Sequence, residues 1–210
     1  MIDLHRWLAE VRDYHFVSLF DIIENTMEVT TKTQVGRSVT RRLLCRSKSM
    51  ENAIIEIVES GLKDKGWEGL FYLMGLEEFT TFQPIYVGKA EKKGVTAPIS
   101  ANIRNIRRNE HKFARWGDGL DYHIGDLSQT LFKFKGYREP TKKYERWARL
   151  LFATRDPPVL RAKVYFYVAP WFNGMKGPSG LVCSLPAVEK ELISLASASS
   201  RGLLLNVDGV

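Results

Sequence analysis

The chain is poor in the residues that staple or metallate a small fold. Among its 210 residues are two cysteines and four histidines. Cys45 and Cys183 lie far apart in apolar surroundings, which excludes a disulfide framework and leads us to expect two buried free thiols. No Cys/His cluster has zinc-site spacing. Long hydrophobic runs are also missing: none approaches the roughly 20 residues needed to span a bilayer. The opening residues Met1-Ile2-Asp3-Leu4-His5-Arg6 lack a basic region followed by an apolar stretch and a small-residue cleavage site, so they do not read as a signal peptide. A cytoplasmic protein with no membrane partner is expected. There is no internal repeat and no low-complexity tract.

What is present suffices for a packed core. Apolar residues make up 44% of the chain and aromatics 11%, and the length suits one large domain or a small core with an extension. The formal net charge is +7, with an isoelectric point near 9.4. An excess of Lys and Arg favours a polyanionic partner, because binding releases counterions from phosphates. The charge is concentrated. Between Lys89 and Arg115 lie Lys89, Lys92, Lys93, Arg104, Arg107, Arg108, Lys112 and Arg115, opposed by Glu91 and Glu110 alone, an excess of six cations in one stretch.

Hydrophobic periodicity divides the chain at about residue 66. Before it, Leu4, Trp7, Leu8 and Val11 share a helical face, as do Leu19, Ile22, Ile23 and Met27. Arg37 to Arg46 and Met50 to Leu62 read as two further helices, and Thr30 to Gly36 as a polar connector. After it, Gly69 to Met74 and Ile85 to Val87 are short, aromatic and β-branched, as strands should be, with Glu77 to Pro84 between them as a hairpin connection. Ser100 to Arg115 reads as a helix with Ile103, Ile106 and Phe113 inward. Leu120 to Leu127 reads as a strand and Thr141 to Ala153 as a helix stopped by Asp156-Pro157-Pro158. Val164 to Val168 is the strongest strand signal. Gly174 to Gly180 reads as a loop. Ser184, with Pro186 in the first turn, begins a helix through about Ala196.

The order of chemistry-bearing residues is therefore two tyrosine-bearing strands, an arginine-rich segment, a later strand, a helix carrying Glu189, and Asn206 after the apolar run Leu203-Leu204-Leu205. Here the sequence resembles the GIY-YIG nuclease family, which includes phage homing endonucleases, the incision subunit of bacterial nucleotide-excision repair and several Type II restriction enzymes. Ile85-Tyr86-Val87-Gly88-Lys89-Ala90 is similar to the family's second motif and Gly69-Leu70-Phe71-Tyr72-Leu73 to its first. Glu189-Lys190-Glu191-Leu192-Ile193 resembles its metal-site segment, and Asn206 its closing Asn. The resemblance covers roughly residues 67 to 208. It departs from the family at Phe71, which stands where the first-motif Tyr is expected. A one-residue shift turns a strand side chain to the opposite face, so either the strand is bulged and Tyr72 serves, or this tyrosine is dispensable.

The resemblance implies an α+β (α/β) fold. A small three-stranded mixed or antiparallel sheet flanked by helices would occupy residues 67–210, with a helical N-terminal extension over 1–66. It implies a metal-dependent DNA endonuclease, most like the Type II restriction members. The rivals are a homing or repair-type nicking nuclease and a catalytically inactive nucleic-acid-binding protein on the same scaffold. The implied catalytic set is Tyr72, Tyr86, Lys89, Arg107, His111, Glu189 and Asn206, with Arg104 competing with Arg107. Arg107 and His111 have the i, i+4 spacing that places both on one helix face. Glu189 would hold one Mg2+, with Mn2+ as a substitute and Glu191 as the fallback ligand. Lys92, Lys93, Arg108, Lys112 and Arg115 would contact double-stranded DNA, and Phe134, Lys135, Tyr137 and Arg138 are candidates for groove contacts. Cutting both strands with one site per chain implies a homodimer on DNA.

Overall fold

The computed structural model describes residues 4–35, 40–78, 81–199 and 202–206. In chain order its elements are α1 (Leu4–Glu10), β1 (His15–Ser18), β2 (Thr31–Val35), β3 (Thr40–Leu44), α2 (Lys48–Gly61), β4 (Trp67–Glu78), β5 (Thr81–Glu91), α3 (His123–Phe132), α4 (Lys142–Leu151), β6 (Phe152–Thr154), β7 (Val159–Leu160), β8 (Val164–Phe172) and α5 (Leu185–Ser199). The principal sheet is antiparallel, with strand order β1-β8-β4-β5. Two-stranded sheets, β2-β3 and β6-β7, flank it. The class is thus α+β. The sheet has four strands rather than the expected three, because β1, from residues 1–66, pairs with β8.

The sheet lies between two helical layers because its residues alternate between two cores. On one face Leu70, Tyr72 and Met74 of β4 join α2, α3 and α4 around Trp116 and Trp147. On the other, Phe71, Leu73, Val87, Tyr167 and Trp171 pack against Leu4 and Leu8 of α1 and Leu185, Val188 and Leu192 of α5. Burying aliphatic and aromatic side chains at roughly 1.5–3 kcal/mol each is what holds such layers together. Two irregularities in pairing set the faces. The β4–β8 register shifts between Trp67 and Gly69, and the β4–β5 register shifts between Met74 and Gly75. Gly69 has φ +146°, and a Cβ there would strike the carbonyl oxygen of Ala90. Glu68, in the first irregularity, accepts a hydrogen bond from the Leu185 amide at 2.7 Å. Its charge thereby meets the positive end of α5.

Several expectations for residues 1–66 need correction. The segment is not simply helical: α1 and α2 form as expected, but Thr31–Val35 and Thr40–Leu44 are a strand pair rather than a connector and a helix. Residues 36–39 of the expected Arg37–Arg46 helix lie outside the described residues. Leu19 to Met27 is not helical: it makes single bridges from Phe20 to Arg46 and from Ile22 to Val29 and turns at Asn25, whose φ is +60°. Further on, Leu120 to Leu127 is not a strand, since α3 begins at His123. Ser100 to Arg115 is a series of turns with two short 3-10 segments, not one helix. Asn105 has φ +53°, and Asn109 donates to the carbonyls of Ala101 at 2.8 Å and Asn102 at 3.2 Å. Side chains that bond the backbone locally compete with helix. Ile103, Ile106 and Phe113 still turn inward, as expected. Both cysteines are free, and each is half-buried rather than fully buried. Among the described residues no helix is long and apolar enough to cross a membrane.

Candidate active site

β5 is the outer strand of the sheet, and its Gly88 opposes Tyr72 of β4. This register puts Phe71 and Tyr72 on opposite faces of the sheet. Phe71 faces the α5 layer, packing on Trp7, Tyr167 and Trp171. Tyr72 faces the other layer beside Tyr86, their ring centroids 6.3 Å apart. A Cβ on Gly88 would lie 2.6 Å from the Tyr72 Cζ and hydroxyl oxygen. Gly88 is thus the seat of the Tyr72 ring.

An open cleft of about 350 Å³ lies at this point, lined by Tyr72, Tyr86, Gly88, Lys89, Glu91, Lys93, Ser100, Asn102, Arg115 and Glu189 among others. Glu189 comes from the first half of α5. The Lys89 Nζ lies 3.8 Å from its carboxylate and 3.1 Å from that of Glu91. Burial raises the Glu189 pKa above the usual carboxylate range; Lys89 opposes this and Glu91 adds to it. Arg115 reaches the cleft from a backbone held in the left-handed region, with φ +45° at Ala114 and +74° at Arg115. Non-glycine residues adopt this region at a cost, and such residues concentrate at functional sites. Trp116, the next residue, is fully buried, and its carbonyl accepts from Arg46 at 2.9 Å. That anchor fixes the start point of the Arg115 side chain, whose guanidinium lies 5.3 Å over the Tyr122 ring.

Behind Tyr72 runs a buried hydrogen-bonded chain absent from the sequence reading. The Tyr72 hydroxyl is 3.3 Å from His123 Nε2, and His123 Nδ1 is 2.9 Å from the Tyr144 hydroxyl. Burial pushes the His123 pKa far below its ordinary value, and Lys143 and Arg115 push the same way, so the ring is neutral. Burial likewise raises the Tyr72 phenol, with Tyr86 adding and Arg115 opposing. Tyr72 therefore rests as a phenol. Trp116 and Trp147 close around the imidazole at 4.7 and 5.1 Å between ring centroids.

Asn206 is a clamp on the strand edge. Its side chain accepts from the Val87 amide at 2.9 Å and donates to the Val87 carbonyl at 2.8 Å. It thereby satisfies the outward backbone groups next to Gly88, a structural service rather than contact with the cleft.

Of the expected catalytic residues, the cleft brings together Tyr72, Tyr86, Lys89 and Glu189. It does not include Arg104, Arg107 or His111. Arg107 makes two hydrogen bonds to Glu59 of α2, at 2.5 and 2.7 Å, on the open surface. His111 bonds the buried carboxylate of Asp118 at 2.8 Å through Nδ1, and Lys32 meets the same carboxylate at 3.0 Å. Arg104 is exposed and lines no part of the cleft. The i, i+4 relation behind the Arg107–His111 pair fails because that segment is not helical. Arg115, assigned to DNA contact from sequence, supplies the guanidinium of the cleft. Of the remaining DNA-contact candidates, Lys93 lines it, Arg108 and Lys112 are exposed elsewhere, and Lys92 is tied to the Asp64 carbonyl at 2.8 Å. Glu191, the fallback ligand, is held by Ser179, at 3.1 Å from its amide and 3.2 Å from its hydroxyl. Phe134 is buried, and Arg138 pairs with Asp121 at 2.7 Å and Asp126 at 3.2 Å, which leaves the groove-contact group without two of its members.

Among the described residues no three His, Cys, Asp or Glu side chains gather to form a metal cage. The cleft sets Lys89, Lys93 and Arg115 against the carboxylates of Glu189 and Glu91, so charge balance alone does not call for a cation; a magnesium ion that keeps most of its waters would have Glu189 as its carboxylate donor here.

No family model matches the chain, and no curated protein or solved structure matches it.

Proposed function

We propose that this chain is a metal-dependent DNA endonuclease of the GIY-YIG type, most like its restriction members. The observation that carries the reading is the convergence of Tyr72, Tyr86, Lys89, Arg115 and Glu189 on one open cleft at the edge of the sheet. These come from β4, β5, a buried-anchored loop and α5, in the order of the family resemblance. The basic surroundings suit a phosphodiester substrate.

Hydrolysis requires a positioned water, a proton acceptor and stabilisation of charge on the non-bridging oxygens. Arg115 would hold two of those oxygens with its planar fork. Tyr72, a phenol kept from ionising by burial, would orient the attacking water, its hydroxyl held 3.3 Å from His123 Nε2, and the water proton would leave to solvent through the open cleft. His123, 2.9 Å from the Tyr144 hydroxyl through its other ring nitrogen, would fix the Tyr72 hydroxyl as an uncharged partner, because burial, Lys143 and Arg115 disfavour its protonated form. The water oxygen forms the new bond to phosphorus while the bond to the leaving deoxyribose oxygen breaks, and that oxygen takes up a proton from solvent in the open cleft. Lys89 would present a second cation to the phosphate, and Tyr86 would wall the water against the sheet. Glu189 would hold Mg2+, or Mn2+ in its place, which supplies Lewis-acid polarisation of the phosphate and stabilisation of the leaving oxygen. A homodimer would place two such clefts on opposite strands of a two-fold site.

Incubation of supercoiled plasmid with the protein and Mg2+ tests the reading. Discrete linear fragments support a restriction-type enzyme, and a relaxed circle supports the nicking alternative. Duplex binding without any cutting would leave a nucleic-acid-binding protein and sink the enzyme reading.

A further inference from the structure

α4 carries a basic surface that the cleft chemistry does not use. Lys142, Arg146 and Arg149 are exposed at i, i+4 and i+7, while Tyr144, Trp147, Ala148 and Leu151 bury the opposite face. The spacing sets three cations in one stripe. The single carboxylate of this helix, Glu145, is drawn off by Arg155 at 2.7 Å. Arg161 adds a fourth cation at the C-terminal end, donating to the Arg149 carbonyl at 3.2 Å.

The stripe starts beside the cleft residue Tyr86 and ends at a shallow hollow. At its start the Lys143 ammonium lies 5.2 Å from the Tyr86 ring centroid and 5.5 Å from that of Tyr144. At its end Arg146 and Arg149 border a shallow hollow with Leu150, Gly202, Leu203 and Leu205. Asn206, the residue after that hollow, clamps Val87 beside Gly88.

We propose that this face of α4 is a track for the phosphate backbone of duplex DNA leading away from the cleft, an inference that rests on the nuclease reading. The dimensions agree. Seven residues of helix rise about 10 Å, and each DNA strand presents a phosphate about every 3.4 Å along its axis. Three cations on that length meet about three phosphates of one strand. The contacts are to backbone and carry no sequence information, so they add affinity equally to every duplex.

The test uses the full-length protein and a random-sequence duplex of about 30 base pairs, without added metal so that nothing is cut. Affinity is measured by fluorescence anisotropy between about 50 and 200 mM salt, the range over which phosphate contacts are read. The variant is Lys142→Gln/Arg146→Gln/Arg149→Gln, matched by the control Arg12→Gln/Lys48→Gln/Lys163→Gln, which removes equal charge from exposed sites on other elements. The slope of log affinity against log salt is expected to fall by about two to three for the α4 variant. Affinity at about 0.1 M salt should drop at least roughly ten-fold. The control should keep nearly the wild-type slope. Arg149→Gln alone, safe if the triple variant folds poorly, should lower the slope by about one. Equal slopes for the α4 and control variants overturn the track while leaving the nuclease reading intact. Absence of salt-dependent duplex binding by the wild-type protein removes both.

Discussion

The buried imidazole of His123 should make the protein acid-sensitive in a defined window. His123 is only 2% exposed, enclosed by Tyr72, Tyr86, Trp116, Tyr144 and Trp147. Burial, Lys143 and Arg115 all disfavour its protonated form in the folded chain. The unfolded chain takes up that proton at about pH 6.5. Acid therefore favours unfolding: stability falls as pH drops below about 6.5, and the fall continues down to the depressed folded-state value. The slope is about 1.4 kcal/mol per pH unit. Between about pH 7.5 and 5.0 the contribution integrates to about 2 kcal/mol. For a chain of this length that is a shift of about 4–8 °C in the thermal midpoint. The assay is thermal or urea unfolding of the wild type and His123→Gln at both pH values. The substitution will lower stability at each pH, so the relevant quantity is the difference between the two pH values. The wild type should lose about 2 kcal/mol more than the variant on acidification. Equal losses would mean that the folded chain does not hold His123 neutral, and its place as an uncharged partner of the Tyr72 hydroxyl would fall.

Two further substitutions probe the cleft. Gly88→Ala drives a methyl against the Tyr72 ring, whose neighbours Trp116 and Phe166 allow no retreat. Overpacking of this kind costs about 1–3 kcal/mol, read by chemical denaturation, and should displace the Tyr72 hydroxyl and suppress cleavage. Arg115→Ala should lower the single-turnover cleavage rate by about 10²–10³-fold, the usual effect of removing one donor to a developing anion. Arg107→Ala, which loses a surface pair with Glu59, should cleave at close to the wild-type rate. The reverse ranking would restore Arg107 to the catalytic role.

The sheet was legible because its strands carry strong local signals. Val164 to Val168 and the two tyrosine-bearing segments alternate between two apolar cores and are rich in aromatic and β-branched residues. α3 was not legible for the opposite reason. His123 through Leu131 are all buried, so no polar stripe marks the helical period, and Gly125, Ser128 and Thr130 weaken its propensity. The β2–β3 pair failed differently: Thr31–Val35 and Thr40–Leu44 are mostly polar, and their buried residues, Leu43 and Leu44, are adjacent, so no alternation marks the strands. The site shows the same division. Tyr72, Tyr86, Lys89 and Glu189 sit on regular elements next to recognisable motifs. Arg115 and His123 act from a loop and a buried helix start, where position depends on tertiary packing around Trp116. The signal available for Arg115 was its place at the end of the basic stretch, immediately before a tryptophan and a glycine, which does not distinguish it from Arg107.

The most direct measurement pairs cutting with binding in one variant. Wild-type protein and Glu189→Ala are each incubated with supercoiled plasmid and Mg2+, and their affinity for a short duplex is measured in parallel. The proposed function predicts that the wild type converts the plasmid to cut products. It also predicts that Glu189→Ala yields none while binding duplex with nearly unchanged affinity. Undiminished cutting by Glu189→Ala, or no cutting by the wild type with either Mg2+ or Mn2+, would contradict it.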